Sequence, residues 1–265
     1  MAGRRYTWTE KRIAKFKREG RGIGTGATYI PWLKVSDVPS LGRSRRVFWS
    51  TSGREHHLLS DIEFYAFLHK CYDDATLDIR EQFPLPREET LKIAEEIRVQ
   101  HPRANGVNIV MTTDLLVTQT SAYGPVDLAY AVKQDADLHD ERTLEKLEIE
   151  RLYWESRSTP WNIIVGSSVR GNVSFNLEWM FECQRDPEAE DEPAIRESFV
   201  EALDDLKAFP LRTVCSVIDS RLGLRPGRTL RVARRMLSQK KLRVNLTARS
   251  IQDLPASNFV VAGEN

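Results

Sequence analysis

Val107-Asn-Ile-Val-Met-Thr-Thr-Asp114-Leu-Leu, followed after a turn by Val126-Asp-Leu-Ala-Tyr-Ala131-Val-Lys133, places an acid on one apolar run and a lysine at the end of the next. Both runs are short, apolar or alternating, and bounded by Gly, Pro and Asn, which reads as two strands over residues 107–117 and 126–133. Alternate residues of a strand share a face and lie ~6.6 Å apart along it. Asp127, Ala129, Ala131 and Lys133 therefore share a face, on which the alanines leave the lysine room. If the strands pair antiparallel, ~4.8 Å apart, Asp114 comes within a few ångströms of Lys133.

Working outward, residues 57–72 repeat apolar side chains (Leu58, Leu59, Ile62, Ala66, Phe67, Cys71) at helical spacing, and residues 77–84 read as a further strand. A charged helix over 141–156 and a strand over 161–165 follow. The order helix, three strands, helix, strand predicts an α/β fold. Near the N-terminus a short helix over 9–19 leads into Gly20, Gly22, Gly24 and Gly26. No strand enters this loop and Tyr29-Ile-Pro31 stops any helix leaving it, so the dinucleotide fingerprint is not met and a flexible basic loop is expected. Beyond Gly166 the texture changes. Residues 172–181 read as a helix and 182–197 as an acidic, proline-containing linker. For a chain of 265 residues this places a boundary near Ser168, with domains over 1–168 and 169–265.

The chain is nearly neutral, with 39 basic and 38 acidic residues, but the charge is uneven. Residues 1–50 carry twelve basic residues, Arg4, Arg5, Arg43, Arg45 and Arg46 among them, against three acidic ones. A second basic block spans 221–249. Such asymmetry points toward nucleic-acid contact, with a solvated charged face as the plainer alternative. Cys71, Cys183 and Cys215 are far apart and form no Cys-x-x-Cys pair, which fits a reducing, cytoplasmic setting. No apolar stretch approaches the ~18 residues that span a membrane, and no membrane partner is expected.

An acid and a lysine on adjacent strands, joined by an acid from a packed helix, can hold Mg²⁺ and a scissile phosphate. The metal takes hard oxygen ligands, and the lysine is a point charge for the phosphate or the attacking water. The helix acid is Glu63. Each residue also has a plainer role: Asp114 as a paired or turn-flanking acid, Lys133 as a strand end reaching water. Ser60-Asp-Ile-Glu63 also fits a capping box, in which Glu63 bonds back to the helix start.

The segments Glu19-Gly-Arg-Gly-Ile-Gly, Tyr29-Ile-Pro-Trp-Leu, Val38-Pro-Ser-Leu-Gly-Arg-Ser, Gly53-Arg-Glu-His-His-Leu-Leu-Ser-Asp-Ile-Glu63, Leu77-Asp-Ile-Arg-Glu-Gln-Phe-Pro-Leu, Met111-Thr-Thr-Asp114, Val132-Lys133 and Asp140-Glu-Arg-Thr-Leu-Glu-Lys-Leu-Glu strongly resemble the TnsA family, the endonuclease subunits of heteromeric bacterial transposases. The likeness is dense and collinear over residues 15–165 and weak beyond. It implies a restriction-endonuclease-like catalytic domain with a mixed sheet flanked by helices, which nicks the 5′ ends of a transposon in cut-and-paste DNA transposition. It also implies transposon-end double-stranded DNA, a TnsB-like transposase and a TnsC-like AAA+ ATPase regulator as partners.

Carried over, the resemblance makes Glu63, Asp114 and Lys133 the catalytic set. Glu63, Asp114 and the Val132 carbonyl would hold Mg²⁺, which Mn²⁺ can replace. Arg43, Arg45 and Arg46 are expected on the DNA backbone. The sequence departs at Ala131, where the family's best-known member has Gln and many restriction nucleases have Asp or Glu. A methyl group binds no cation, so a catalytically silent transposase adaptor stands as an alternative to the active enzyme; a stand-alone restriction-type endonuclease is a third reading. His56-His57, being adjacent, diverge and are not expected to share a metal.

In the second domain, helices over 211–222 and 228–241 across a Gly-containing turn, then strands over 242–246 and 258–262, predict a mostly helical, winged-helix-like module. Arg228, Arg231, Arg234, Arg235, Lys240 and Lys241 crowd the second helix, which by itself reads as a DNA-recognition helix. The resemblance implies instead that this region chiefly engages the ATPase regulator.

Overall fold

The computed structural model describes residues 8–38, 43–183 and 192–263, in two compact units, Met1–Val169 and Arg170–Asn265. Arg4, Arg5, the Pro39–Gly42 part of one family motif and residues 184–191 of the expected linker lie outside the described residues.

Unit 1 begins with α1 (Glu10–Arg18), capped by the Thr9 hydroxyl, which accepts from the Arg12 N–H at 3.1 Å, and carrying basic residues in its last turn where the helix dipole favours them. Its Ile13 and Phe16 pack with Trp8, Trp32 and Val110. The glycine loop that follows is tied down rather than free. The Gly26 N–H donates to Asp78 at 2.9 Å. Arg21 lies buried, bonded to Glu19, Asp37 and the Trp32 carbonyl, with its guanidinium 3.5 Å from the Phe16 ring centre. Gly22 sits at φ 79°, and a Cβ there would meet Pro84 Cγ at 2.1 Å, so no other residue fits this closure.

A hairpin, β1 (Arg45–Trp49) with β2 (Arg54–Leu58), occupies the place where a helical start was expected. Helix α2 (Asp61–Cys71) begins only at Asp61, because the Ser60 hydroxyl caps it by accepting from the Glu63 N–H at 3.2 Å. The rest of the unit runs β3 (Thr76–Pro84), α3 (Arg87–Glu96), β4 (Arg103–Ala104), β5 (Val107–Asn108), β6 (Thr112–Ser121), β7 (Gly124–Lys133), α4 (Glu141–Glu155), β8 (Trp161–Val165) and α5 (Gly166–Val169). The strand expected over 107–117 is thus split in two, and α3 was not foreseen. β5 pairs with β4, and the Met111 carbonyl turns aside to accept from the Leu85 N–H at 2.8 Å.

The main sheet has the order β3-β6-β7-β8, antiparallel at its first two joins and parallel at the third, so the expected α/β architecture is a mixed sheet flanked by helices. Helix α2 packs on β3, β6 and β7. Ile149, Tyr153 and Trp154 of α4 join Leu85, Ala94, Met111, Leu116 and Ala129 in one core cluster. Burying each such large side chain contributes roughly 1.5–3 kcal/mol.

Unit 2 contains α6 (Asn172–Phe181), α7 (Glu192–Asp205), α8 (Leu211–Arg221), α9 (Arg228–Ser238), β9 (Leu242–Arg243) and β10 (Val260–Val261). The end of the expected linker is therefore helical from Glu192. Asp219 of α8 accepts from the Gly227 and Thr229 N–H groups at 2.6 and 2.8 Å and so caps α9. The late strands shrink to a two-residue antiparallel pair, Arg243 opposite Val260 and Leu242 opposite Val261. Beyond Arg243 the Asn176 amide takes the Leu246 and Ala248 carbonyls at 2.9 and 2.8 Å, leaving no ladder for that stretch to join.

The basic helix also differs from a bare recognition helix. Arg228 and Arg235 flank the fully buried Glu192 at 3.7 and 3.2 Å. Arg234 bonds the Trp179 carbonyl at 2.7 Å and Glu182 at 2.6 Å. Three of its arginines thus serve the unit's own interior.

Candidate active site

Asp114 stands near the start of β6 and Lys133 at the end of β7, and the antiparallel register that puts Leu115 opposite Tyr130 brings the two together. Lys133 Nζ lies 2.8 Å from Asp114 Oδ2, the Val132 N–H donates to the same oxygen at 2.7 Å, and Nζ also reaches the Val132 carbonyl at 3.0 Å. Ala131 is fully buried. Asp127, on the same strand, bonds Thr118 and Arg80 instead.

Glu63 bonds both to the start of its helix and toward Asp114. Its carboxylate accepts from the Leu59 N–H at 3.0 Å and the Ser60 hydroxyl at 3.0 Å, so it bonds back to the helix start but to the N–H one residue before the cap rather than to that of Ser60 itself. The same Oε2 also accepts from Gln82 Nε2 at 3.2 Å, and that nitrogen makes a long contact of 3.5 Å to Asp114 Oδ1. One amide nitrogen therefore sits between the two acids. Gln82 was not anticipated. Its φ of 48° lies in the left-handed region, a strain of roughly 1–3 kcal/mol for a non-glycine residue. The Trp32 N–H on its carbonyl (3.2 Å) and the Thr112 hydroxyl on its Oε1 (3.1 Å) hold it there. No spacing rule signals such a backbone.

Glu150 was likewise missed. It is buried on α4 and accepts from the Thr113 hydroxyl at 2.8 Å. Its signal was present: Glu150 lies three residues after Leu147 and four before Trp154, an acid on an apolar stripe.

Two of the acids are raised. Burial and then the Asp114 charge push Glu63 up to about 7, and the same two causes push Glu150 to about 7. Burial opposes the Lys133 charge, yet Asp114, Glu150 and Glu63 together hold its ammonium above the usual range. Beneath the site a second polar set is closed on itself. Arg54 makes two bonds to Glu81 at 2.8 and 2.6 Å, and His56 bridges Glu81 and the Ser52 hydroxyl at 2.9 and 2.7 Å. Burial disfavours ionisation of Glu81, but His56 and Arg54 outweigh it and hold its carboxyl below the usual range. His57 turns away and accepts from the Val35 N–H at 3.3 Å, so the paired histidines diverge.

Of the three arginines expected on DNA, Arg45 is engaged by Asp61 at 3.1 Å and lies 4.2 Å from the Phe64 ring centre. Arg46 faces Glu55 at 3.8 Å with half its side chain exposed, and Arg43 is exposed.

Among the described residues no group of three or more His, Cys, Asp and Glu side chains is placed to hold a metal. The donor chemistry nevertheless fits a hard cation. Two carboxylate oxygens converge on one polar nitrogen, and the remaining donors nearby are a backbone carbonyl and an amide.

Two carboxylates and a lysine converging beside the end of a mixed sheet are the equipment of an enzyme that hydrolyses phosphate esters, a nuclease among them. The family described as TnsA-like endonuclease N terminal matches residues 73–166, which include Asp114 and Lys133 and leave Glu63 outside, and that described as TnsA endonuclease C terminal matches 169–246. The transposon Tn7 transposition protein TnsA of Escherichia coli is 38% identical over 247 residues, covering 93% of this chain and 90% of that protein. The chain belongs to the TnsA endonuclease family. Its likeness extends through the second unit, where the motifs alone carried only a weak one. No helix of the described residues is long and apolar enough to cross a membrane.

Proposed function

We propose that this chain is the Mg²⁺-dependent DNA endonuclease of a heteromeric transposase, with Mn²⁺ able to substitute, and that it cuts the 5′ ends of the transposon during cut-and-paste DNA transposition. The observation that carries this reading is the convergence of Glu63, Asp114 and Lys133 from three separate elements onto one largely buried spot, Glu63 buried and the other two half-buried. Structural ion pairs rarely collect three acids around one lysine away from water, because each added charge costs desolvation; functional sites do. Glu63, Asp114 and the Val132 carbonyl would hold the cation, which when bound polarises the phosphate and lowers the pKa of water. Lys133 stabilises negative charge as it develops on the phosphate oxygens. Arg43 and Arg46 reach the DNA backbone, and Arg45 does so only by giving up Asp61.

Unit 1 is read as a restriction-endonuclease-like catalytic domain. The residues from 169 onward are read as a winged-helix-like module that binds a TnsC-like AAA+ ATPase. A TnsB-like transposase cuts the other strand of the same transposon-end DNA. The family and the Tn7 relative support these partners, and three free thiols support work in the bacterial cytoplasm.

Ala131 favours a second reading, the silent adaptor, because the site lacks the side-chain oxygen that the resemblance leads one to expect there. End-labelled transposon-end DNA, incubated with the full chain and its partner transposase in Mg²⁺ or in chelator, separates the two. Cutting of the 5′ strand in Mg²⁺ alone supports the nuclease; an assembled complex that leaves that strand intact supports the adaptor.

A further inference from the structure

Among the described residues Gln82 is the side chain that touches both acids, and three features make it more than a spacer. It is buried, at 3% exposure, so its amide is committed to this spot. Its backbone is held at φ 48°, a left-handed conformation that glycine or asparagine adopts with less strain. Its other amide atom meets the Thr112 hydroxyl at 3.1 Å, and a hydroxyl both donates and accepts. The amide can therefore turn over and keep its bond to Thr112.

The two orientations present opposite polarity to the acids. With Nε2 inward, the amide offers donors to Glu63 Oε2 and Asp114 Oδ1, as the structure has it. With Oε1 inward, it would face two carboxylates and be repelled unless a cation stood between them. We propose that Gln82 is the reserve oxygen of the cation site: its amide bridges Glu63 and Asp114 in the metal-free protein and turns over to supply the ligand that Ala131 lacks. This rests on the metal-dependent reading above. It ranks Gln82 as a cation ligand rather than a plug, and the two differ in sign. Removing a ligand weakens cation binding, whereas removing a plug strengthens it.

Calorimetric titration of the full chain with Mn²⁺, without DNA, reads this directly for wild type, Asp114→Ala, Gln82→Asn and Gln82→Glu, with melting curves of each metal-free protein alongside. Asparagine suits the left-handed backbone but withdraws the amide by one methylene, so Gln82→Asn is expected to stay folded and bind Mn²⁺ roughly tenfold or more weakly. Gln82→Glu is expected to melt lower than wild type without metal, because it adds a third carboxylate, and to bind Mn²⁺ more tightly. If Gln82→Asn does not fold, Gln82→Glu decides alone. Mn²⁺ binding that is lost in Asp114→Ala yet equal or tighter in Gln82→Asn, or no tighter in Gln82→Glu, overturns the role of Gln82 and leaves the metal site standing. Absence of Mn²⁺ binding by wild type overturns both.

Discussion

Lys133 Nζ lies 2.8 Å from Asp114 Oδ2, an oxygen that the Val132 N–H also reaches at 2.7 Å, so one carboxylate oxygen is shared by two successive residues of β7. Glu63 and Glu150 add their fields to this pair. Lys133→Met removes the cation that the three acids face. With the lysine side chain 26% exposed, the expected loss is about 1–3 kcal/mol at pH 8, below the usual cost of breaking a buried pair. At pH 5, where Glu63 and Glu150 hold protons, the variant should melt closer to wild type. Asp114→Asn in the Lys133→Met background should recover part of the loss. Additive losses in this double-mutant cycle would count against the pair.

Glu63 and Glu150 also fix the pH dependence of the metal-free protein. Both are raised to about 7 in the folded state from an ordinary value of 4.5. Between those values the folded chain holds protons that the unfolded chain has released. The contribution of each acid is therefore full below 4.5 and is lost as pH rises through 7, falling by about 1.4 kcal/mol for each pH unit in between. Glu63→Gln keeps an acceptor for Leu59 and Gln82 and can donate to the Ser60 hydroxyl, so its stability should equal or exceed that of wild type at pH 8. Melting curves from pH 4.5 to 8 should show a flatter fall for Glu63→Gln and for Glu150→Gln. Parallel curves would mean that the folded protein ionises these acids normally. Since the cation requires the ionised forms, its affinity should rise through the same range.

Much of this site was legible because it depends on local rules. The period of two along 126–133, broken by Gly124 and Pro125, set the faces that meet in the β6–β7 hairpin. The Ser60 cap set the start of α2, though Leu58 and Leu59 mimic helical spacing and concealed β2. Helix α3 was missed because Pro86, after the strand over 77–84, reads as a break, while it in fact occupies the N-terminal cap of that helix. Gln82 was illegible for a deeper reason. Its place between the acids comes from a left-handed backbone imposed by Trp32 and Thr112, partners 50 and 30 residues away in sequence. The inward contacts of the α9 arginines were illegible because charge count carries no direction; Glu192, buried between Arg228 and Arg235, draws two of them inward.

A ligand restored at position 131 would start from a fully buried methyl, on a backbone that pairs with Ile163 of β8. Ala131→Gln and Ala131→Glu are expected to cost about 1–3 kcal/mol by overpacking, without lowering the Mg²⁺ concentration for half-maximal cutting. A lower Mg²⁺ requirement at unchanged melting temperature would show that the pocket opens and that position 131 still belongs to the metal site.

The arginines near β1 separate by what they touch. Arg43→Gln and Arg46→Gln should each lower the logarithmic salt slope of DNA binding by about 0.9 while leaving the melting temperature in place. Arg45→Gln should lower the melting temperature, since Arg45 holds Asp61 at the first turn of α2 and stacks on Phe64. An unchanged slope in Arg43→Gln and Arg46→Gln would assign them to solvent or to a protein interface.

The most direct measurement is strand-specific nicking of end-labelled transposon-end DNA in Mg²⁺, by the full chain with its partner transposase, for wild type, Asp114→Asn and Lys133→Met. Wild type is expected to cut the 5′ strand, and each variant to lose about 100-fold or more in rate while still entering the DNA complex. Variants that cut as well as wild type, or a wild type that assembles and never cuts, would contradict the assignment of Asp114 and Lys133 as the centre of a nuclease.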